Sequence, residues 1–474
     1  INTSGMLIVI DGFPQDGFPA DYPMTNVASV KVIKDPETLT RWGPRAAGGV
    51  ILITSKRGEA GKLRWGYNSN FYYAPKPRFD RSKQRLATAG DILDYLKDAT
   101  DSGFIFTSPD PSGRFMFNKP PAELLLYKLN SGTISQDRFK TQWDSLGRLS
   151  NEGQLGLLQQ DIVNQNQMLT LSGGNTYWRF NAAGTYSSSR TNALNNYNRN
   201  IGLNMFNNFL LFNNKLRADW NIRVNSGRSR QGTSLDPAML QPYQLLLDPG
   251  GRYIYDYAAF NPEANTVLVN AGYNNYGVNL LQDARLNSNI SKMLNTESQL
   301  NMDWELLPGL RWSGSFQYVN TNSNSEDYQD AESSQARQLV DDFASPLFNT
   351  VTTDANRKLT GINFHVPKGG IFRRSFSSDK NWNARSGLLY NKKIGKHELS
   401  LTLGGSGSST MMRVPAYNTI YGYNPQTGKG QLISLPFDPL SSVGNYFQLP
   451  GVYGLYGDAD PNTFYPVFTA NFPY

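Results

Sequence analysis

Apolar and polar residues alternate strictly in long segments from about residue 63 onward. The segment LRADWNIRVNS shows the pattern clearly, because its apolar residues occupy every second position and polar residues fill the positions between them. The apolar set is Leu216, Ala218, Trp220, Ile222 and Val224. Side chains of a β-strand point alternately to its two faces, so this pattern predicts strands with one apolar face and one polar face.

The alternation recurs often enough to predict a large sheet. By inspection against the two-residue period we count roughly nine candidate strands. The clearest lie near residues 63–73, 178–186, 198–205, 216–225, 286–306, 310–318, 382–390 and 398–403. Short connections at 211–215 and 306–310 alternate with long ones at 84–160, 228–285, 323–378 and after 412. Tight turns on one side and long loops on the other are typical of an outer-membrane β-barrel.

A soluble β-sandwich is the alternative interpretation, because its strands also alternate between an apolar and a polar face. Three observations disfavour it: the length of the strands, the lack of a second apolar face to build a core, and the aromatic residues at strand ends. Such aromatic residues are expected where a barrel meets the two membrane interfaces. They are Tyr72, Tyr73, Tyr186, Trp304, Trp312, Tyr318 and Tyr390.

Residues 1–58 follow a different pattern, with three short β-branched runs, MLIVID, VASVKVI and GVILIT, that predict strands. Between the last two runs, Asp35-Pro36 has the form of a helix N-cap followed by a first-turn proline. This part of the chain is therefore predicted to be a small α/β unit. A further helix is predicted at residues 91–99, inside the first long connection.

Composition and charge exclude several other classes of protein. The chain has 45 basic and 38 acidic residues, a net charge of +7, which is too mild an excess to indicate an anionic partner by itself. Its basic residues alternate along the strands and form no coherent patch, so no nucleic-acid partner is expected. No apolar run of about 18 residues is present, so no transmembrane helix is predicted. A barrel remains compatible, since only every second side chain of its strands faces lipid.

The sequence gives little support for a catalytic or cofactor-binding site. The chain has no Cys and only two histidines, His365 and His397, neither with a partner at metal-ligand or catalytic spacing. The segment GPRAAG at residues 43–48 has the glycine spacing of a phosphate-binding loop, but it lacks the Lys and Ser or Thr that should follow. We therefore expect no enzymatic activity, no cofactor and no metal site.

The segments VIDGFPQDG and VASVKVIKDPETLTRWGPRAAGGVILITSKRG carry a family resemblance. They resemble the C-terminal half of the plug domain of SusC-like TonB-dependent outer-membrane transporters. Segments of the predicted barrel near residues 169–208, 301–318 and 392–406 are similar to the same family, so the resemblance extends from residue 6 to about 410. The plug signature comprises Asp11, Gly12, Lys34, Asp35, Gly43, Arg45, Gly48 and Gly49.

The resemblance implies an all-β membrane protein, a large antiparallel transmembrane β-barrel with a small α/β plug domain in its lumen. Residues 1–58 would be the C-terminal part of the plug, and residues 59–474 the N-terminal portion of the barrel with long extracellular loops. It further implies active import of an oligosaccharide or peptide across the outer membrane, with a SusD-like surface lipoprotein and TonB-ExbB-ExbD as partners. The family's preceding domain, its TonB box and the second half of its barrel would lie outside this sequence.

One departure from the family motivates a different function. Where the family usually has Ala-Ser-Ala-Thr-Ala-Ile-Tyr-Gly-Ser, this chain has the bulkier run from Pro36 to Pro44. A plug stiffened in this way suggests, as the alternative, a scaffold subunit of a larger outer-membrane complex that does not transport.

The cations of the plug are the residues expected to hold it in the lumen. Lys31, Lys34, Arg41, Arg45, Lys56 and Arg57 can all pair with carboxylates of the barrel wall. Of these, Arg45 is the residue that we expect to make such a contact. Tyrosines of the long connections, among them Tyr253, Tyr255, Tyr257, Tyr273, Tyr276, Tyr421 and Tyr423, could stack on a sugar or a peptide, or could form ordinary loop packing.

Overall fold

The computed structural model describes residues 6–15, 27–35, 46–83, 85–104, 120–232, 240–257, 262–348, 359–395, 397–415 and 418–432. Its strands form a small sheet near the start of the chain, a large sheet, and one isolated pair of strands. Among the described residues, no helix is both long enough and apolar enough to cross a membrane.

The small sheet, called the plug below, consists of β1 (Leu7–Ile10), β2 (Phe13–Gln15), β3 (Val27–Ile33) and β4 (Val50–Ser55). Its strand order is β2-β1-β4-β3, with β1 and β4 parallel and the other pairs antiparallel. The apolar runs bury both faces, with Val9 and Val50 on one side and Ile10 and Ile53 on the other. The helix predicted after Asp35-Pro36 falls on residues 36–45, which lie outside the described residues.

In the described part of the chain, thirteen further strands follow the plug. They are β5 (Gly61–Ala74), β6 (Ile162–Gly174), β7 (Trp178–Arg190), β8 (Tyr197–Leu211), β9 (Leu216–Gln231), β10 (Ser288–Leu307), β11 (Leu310–Gln329), β12 (Ala344–Phe348), β13 (Leu359–Phe364), β14 (Gly370–Ile394), β15 (His397–Arg413), β16 (Asn418–Asn424) and β17 (Lys429–Gln431). All but β12 and β13, which pair with each other, form one 11-stranded antiparallel sheet in which β14 pairs with both β15 and β16. The described strands leave this sheet open, as a part of a barrel.

The helices all lie in the long connections at one end of the large sheet. They are α1 (Ala89–Asp101), α2 (Pro121–Asn130), α3 (Gln136–Gly147), α4 (Glu152–Leu155), α5 (Pro262–Ala271), α6 (Leu280–Leu286) and α7 (Ser334–Asp342). The predicted helix at 91–99 lies within α1, which Thr88 and Asp91 begin with a reciprocal capping box. Leu93, Leu126 and Trp143 form a separate apolar core between α1, α2 and α3. The loop end is therefore folded structure, and the opposite end has only tight turns.

The two faces of the large sheet have opposite polarity. On the outer face Ile201, Leu203 and Trp220 keep 63%, 48% and 40% of their surface exposed. On the inner face Asn204 and Asp219 keep only 4% and 9%. A water-soluble protein buries its apolar side chains, whereas this sheet exposes them on its outer face and buries polar ones on its inner face. This reversed polarity is expected where hydrocarbon lies outside and polar groups lie inside.

This polarity confirms the predicted orientation of the row Leu216, Trp220 and Ile222. No second sheet covers the outer face anywhere in the described ranges, so the β-sandwich alternative is wrong. The indole N–H of Trp220 donates to Ser298 Oγ at 3.0 Å, and that of Trp312 to Ser386 Oγ at 3.0 Å. These groups are thus satisfied within the sheet, as a surface facing lipid requires.

The alternation pattern did not identify β6, and it predicted β11 and β14 to be shorter than they are. In β6 the outward positions toward the loop end are Gln165 and Gln167, so the apolar half of the alternation is lost there. Similarly, residues 320–329 of β11 are polar on both faces, although the strand continues through them. The predicted long connection at 323–378 is therefore only 330–369, because strands that extend beyond the membrane meet water on both faces.

A charge placed on the outer face should destabilise the barrel. At the middle of β8, Leu203→Arg exposes a guanidinium to hydrocarbon and should cost about 2 to 4 kcal/mol of unfolding free energy, whereas Leu203→Met should cost less than about 1.5 kcal/mol. Denaturant unfolding of the full-length protein in lipid vesicles measures both changes. Equal costs for the two variants would contradict an outward, lipid-facing Leu203.

Candidate functional site

The polar inner face of the large sheet contacts the plug, and this plug–wall interface is the candidate functional site. The plug supplies the turn between β1 and β2 and the segment that follows β4. The wall supplies inward side chains of β7 to β10.

The turn between β1 and β2 contains only Asp11 and Gly12, because Ile10 pairs with Phe13. Both residues have positive φ, +49° and +91°, which is the conformation of a type I′ hairpin and explains the Asp-Gly pair. The Asp11 carboxylate accepts hydrogen bonds from the main-chain N–H of Ser55 at 2.8 Å and from its hydroxyl. Burial raises the pKa of this carboxyl, and the hydrogen bonds from Ser55 oppose that rise.

This turn touches the wall directly. Asn301 of β10 donates from Nδ2 to the main-chain oxygen of Asp11 at 3.2 Å. The signature residue Asp11 therefore contacts the wall, and with Gly12 it forms the turn that reaches β10.

Arg57, just after β4, is the charged contact of the plug with the wall. Its Nη2 lies 3.3 Å from Asp219 Oδ2, and its guanidinium stacks 5.7 Å from the ring centre of Phe206. Asp219 also pairs with Arg217 at 3.1 Å and accepts a short hydrogen bond from Asn208. A buried wall carboxylate is thus shared between one cation of the plug and one of the wall.

Gly58 fits where no other residue would. A Cβ at this position would lie 2.3 Å from the main-chain oxygen of Phe180 in β7, so the chain passes directly against the wall backbone. Arg57 and Gly58 together fix the point where the plug leaves the lumen and the chain turns into β5.

A second ionic group lies within the wall itself. Arg223 Nη1 is 2.8 Å from Glu297 Oε2, and the two side chains are 15% and 7% exposed. Glu297 Oε1 accepts further hydrogen bonds from Gln299 and, at 2.7 Å, from Gln317. This group joins β9, β10 and β11 across the inner face, and Arg223 also acts electrostatically on Asp11.

The remaining signature residues lie away from these contacts or outside the described residues. Lys34 and Asp35 are exposed after β3, and Gly48 is exposed in the turn before β4. Gly49 has φ +112°, and a Cβ there would lie 3.2 Å from the oxygen of Ile33, so this position requires glycine. Gly43 and Arg45 fall outside the described residues.

The expected contact from Arg45 therefore stays a prediction, while Arg57, from the same set of six cations, makes a contact of this kind. The distinguishing signal was available in the sequence. Arg57 stands between the buried strand β4 and Gly58, where the chain must cross to the wall. Its partner Asp219 could not be identified in the same way, because nothing in the local sequence pattern places β9 next to the plug.

The loop tyrosines pack within the loops. Tyr273, Tyr276 and Tyr421 are only 4%, 7% and 6% exposed, so they form loop cores and offer no open ring face to a substrate. Tyr273 stacks edge-on against Phe364, and Tyr423 lies 4.7 Å from Phe372. In the described part of the chain no group of three or more His, Asp or Glu side chains is placed to hold a metal ion.

Two cavities adjoin the plug. A cavity of about 210 Å³ lies between the plug and the inner side chains of β14 and β15, including Arg385. A larger one of about 530 Å³ lies at the tight-turn end, where the segment after β4 passes β5, β6 and β7.

Comparison with known proteins supports the predicted family resemblance. No protein-family model matches the chain. TonB-dependent receptor P3 of Formosa agariphila is 36% identical over 98 residues, which are 21% of this chain and 8% of the receptor. The match thus spans a small fraction of that relative, and it confirms the resemblance to TonB-dependent receptors.

Solved structures confirm the fold. The RagAB peptide transporter has a TM-score of 0.60 with 15% identity, covering 91% of this chain and 45% of the other. The RagAB peptide importer in its open-open state has a TM-score of 0.58 with 15% identity, covering 91% and 44%. The chain spans less than half of these neighbours, so it corresponds to a part of such a barrel.

Removing the buried carboxylate of the wall should cost more than removing an exposed ion pair. Glu297→Ala leaves Arg223 without its partner and should lower the unfolding free energy by about 3 kcal/mol. Lys292→Ala is the matched control, because Lys292 forms a more exposed pair with Glu326 between β10 and β11 and should cost less than about 1 kcal/mol. Denaturant unfolding in lipid vesicles measures both, and equal losses would refute the buried network.

The packing of α7 should depend on pH. Asp341 is fully buried, accepts hydrogen bonds from the main chain and side chain of Asn274, and lies near Lys368 and Asp342. Burial raises its pKa to about 7, and the Asn274 hydrogen bonds and Lys368 oppose that rise. The folded loop thus binds a proton more tightly than the unfolded loop, so its stability should fall as pH rises from about 4 to about 7.

Hydrogen exchange of residues 272–279 and 334–342 between pH 5 and 8, corrected for intrinsic rates, measures this loosening. Asp341→Asn should flatten the dependence, since it keeps the site neutral. An unchanged pH dependence in that variant would assign the effect to another group.

Proposed function

We propose that this chain forms part of a TonB-dependent importer, which carries a large nutrient, an oligosaccharide or a peptide, across the outer membrane. A SusD-like surface lipoprotein would cap the barrel, and TonB-ExbB-ExbD would supply the energy. The proposal contains no enzymatic step and no cofactor.

The observation that carries the proposal is the polar character of the plug–wall interface. The described contacts are an ion pair, Arg57 with Asp219, and a hydrogen bond, Asn301 with Asp11. Water can replace such contacts when the plug moves, and a partly exposed ion pair is worth at most about 1 kcal/mol. An apolar interface would instead cost about 25 cal/mol for each Å² exposed. This plug is therefore bound firmly enough to close the lumen and weakly enough to be displaced by an applied force.

The loop end supports a capping partner. Helices α1, α2 and α3 form their own apolar core, and Asp283 of α6 binds both the main chain and the hydroxyl of Ser334 in α7. These contacts make the outer surface of the barrel an ordered platform. The solved RagAB structures are of a peptide importer, which supports a peptide as the first substrate to test.

A test of import compares four strains of the host: wild type, a deletion of this gene, a depletion of TonB, and both together. Uptake of fluorescent peptides and oligosaccharides should fall to background in either single mutant and no further in the double mutant, as expected if one transporter depends on TonB. An unrelated TonB-dependent importer in the same cells serves as the control for the gene deletion.

The scaffold alternative makes the opposite prediction. If the gene deletion disrupts an outer-membrane complex but leaves the uptake of every candidate solute unchanged, the chain is a structural subunit. Loss of uptake that does not require TonB would likewise contradict the proposal.

A further inference from the structure

The larger cavity beside the plug has a strong excess of positive charge. This inner-mouth cavity, of about 530 Å³, is lined by Lys56, Arg57, Lys62, Arg64 and a single acid, Glu59, together with neutral residues that include Asn181. It lies at the tight-turn end of the barrel, opposite the helical loops. None of the described signature residues of the plug lines it.

The two arginines of the cavity already have partners, and the two lysines have none among the described residues. Arg57 is paired with Asp219 at 3.3 Å, and Arg64 with Glu59 at 3.1 Å. Within the described part of the chain, no carboxylate or hydrogen-bond acceptor engages the ammonium group of Lys56 or Lys62. Both side chains are exposed, so both are charged and available.

The neutral lining offers a further unused group. Asn181 projects from β7 on the inner face, and its Oδ1 is buried with no hydrogen-bond partner among the described residues. A cleft lined by charge of one sign between protein walls concentrates the electrostatic potential and attracts solutes of opposite charge. Its volume is in the range of cavities that hold a small ligand.

We propose that the inner-mouth cavity binds a solute carrying at least two carboxylates, held by Lys56 and Lys62. The proposal rests on the proposed import function and narrows its substrate class to acidic peptides or acidic oligosaccharides. Carboxylate is the anionic group that both classes commonly carry, and the unpaired acceptor of Asn181 suits a peptide N–H or a sugar hydroxyl. The cavity would hold the solute where it leaves the lumen.

The location favours transient binding. Ion pairs of exposed lysines are weak and are screened by salt, so a solute held by them dissociates readily toward the periplasm. Arg57 connects this cavity with the plug–wall interface, because its side chain both lines the cavity and pairs with Asp219 of the wall. Displacement of the plug would therefore alter the cavity at the moment of passage.

Calorimetric titration of the purified full-length protein in detergent tests the inference. The probes are tri-glutamate and tri-galacturonate, with tri-glutamine as the neutral comparison. Wild type should bind at least one acidic probe, more weakly at higher salt, and should not bind tri-glutamine. The variant Lys56→Gln with Lys62→Gln should bind about tenfold more weakly, since two partly exposed ion pairs are removed.

Two further variants act as controls. Lys56→Arg with Lys62→Arg keeps both charges and should retain binding. Lys140→Gln with Lys429→Gln removes two exposed charges from outside the cavity and should leave binding unchanged. Heat-modifiable migration on gels shows that each variant is folded.

Each result decides the inference. Binding of tri-glutamate alone identifies a peptide source, and binding of tri-galacturonate alone a glycan source. If neither probe binds, if tri-glutamine binds equally well, or if the glutamine variant binds as wild type does, the inference is wrong. Uptake measured in parallel separates the two proposals: TonB-dependent uptake without acidic binding preserves the importer, and acidic binding without such uptake preserves only the cavity.

Discussion

The structure depends on the reversal of side-chain polarity across one antiparallel sheet. Every strand from β6 to β11 is paired on both sides, so the main-chain polar groups of these strands are satisfied without water, and the outer side chains can be apolar. The inner side chains must then be polar, and they bind one another. Glu297, for example, pairs with Arg223 and accepts hydrogen bonds from Gln299 and Gln317. A plug within such a wall cannot be held mainly by hydrophobic contacts, because the wall offers few.

The plug meets that requirement by burying its apolar residues between its own strands and presenting turns, charges and glycines to the wall. Val9 and Ile10 stay inside the plug sheet, while Asp11, Arg57 and Gly58 reach outward. Stability of the plug and its attachment are thus separate properties. In the proposed import function, displacement of the plug would break these polar contacts without requiring its core to unfold.

Sequence periodicity predicted most of the sheet where outward side chains face lipid, and it failed where the strands continue into water. The rows through Trp220 and Leu203 were recognised because each apolar residue faces hydrocarbon. Gln165 and Gln167, and the polar residues 320–329, continue the same strands into water, where no alternation is required. The contacts of the plug were harder to predict. Pairing of Arg57 with Asp219 depends on the position of β9 relative to the plug, which the local pattern does not determine.

Under the proposed import function, the inner surface also explains why no obvious sequence motif identifies the type of solute. Side chains such as Asn204, Asn221 and Gln317 offer both donors and acceptors, which suit peptides and sugars equally. Of the tyrosines that could have favoured sugar stacking, Tyr273, Tyr276 and Tyr421 are buried in loop cores. Charge is the feature that would distinguish acidic solutes from neutral ones. Positive charge is concentrated at the inner mouth, where Lys56 and Lys62 lack carboxylate partners in the described chain. Selection by the wall would therefore depend on size and hydrogen bonding, and selection at the exit on charge.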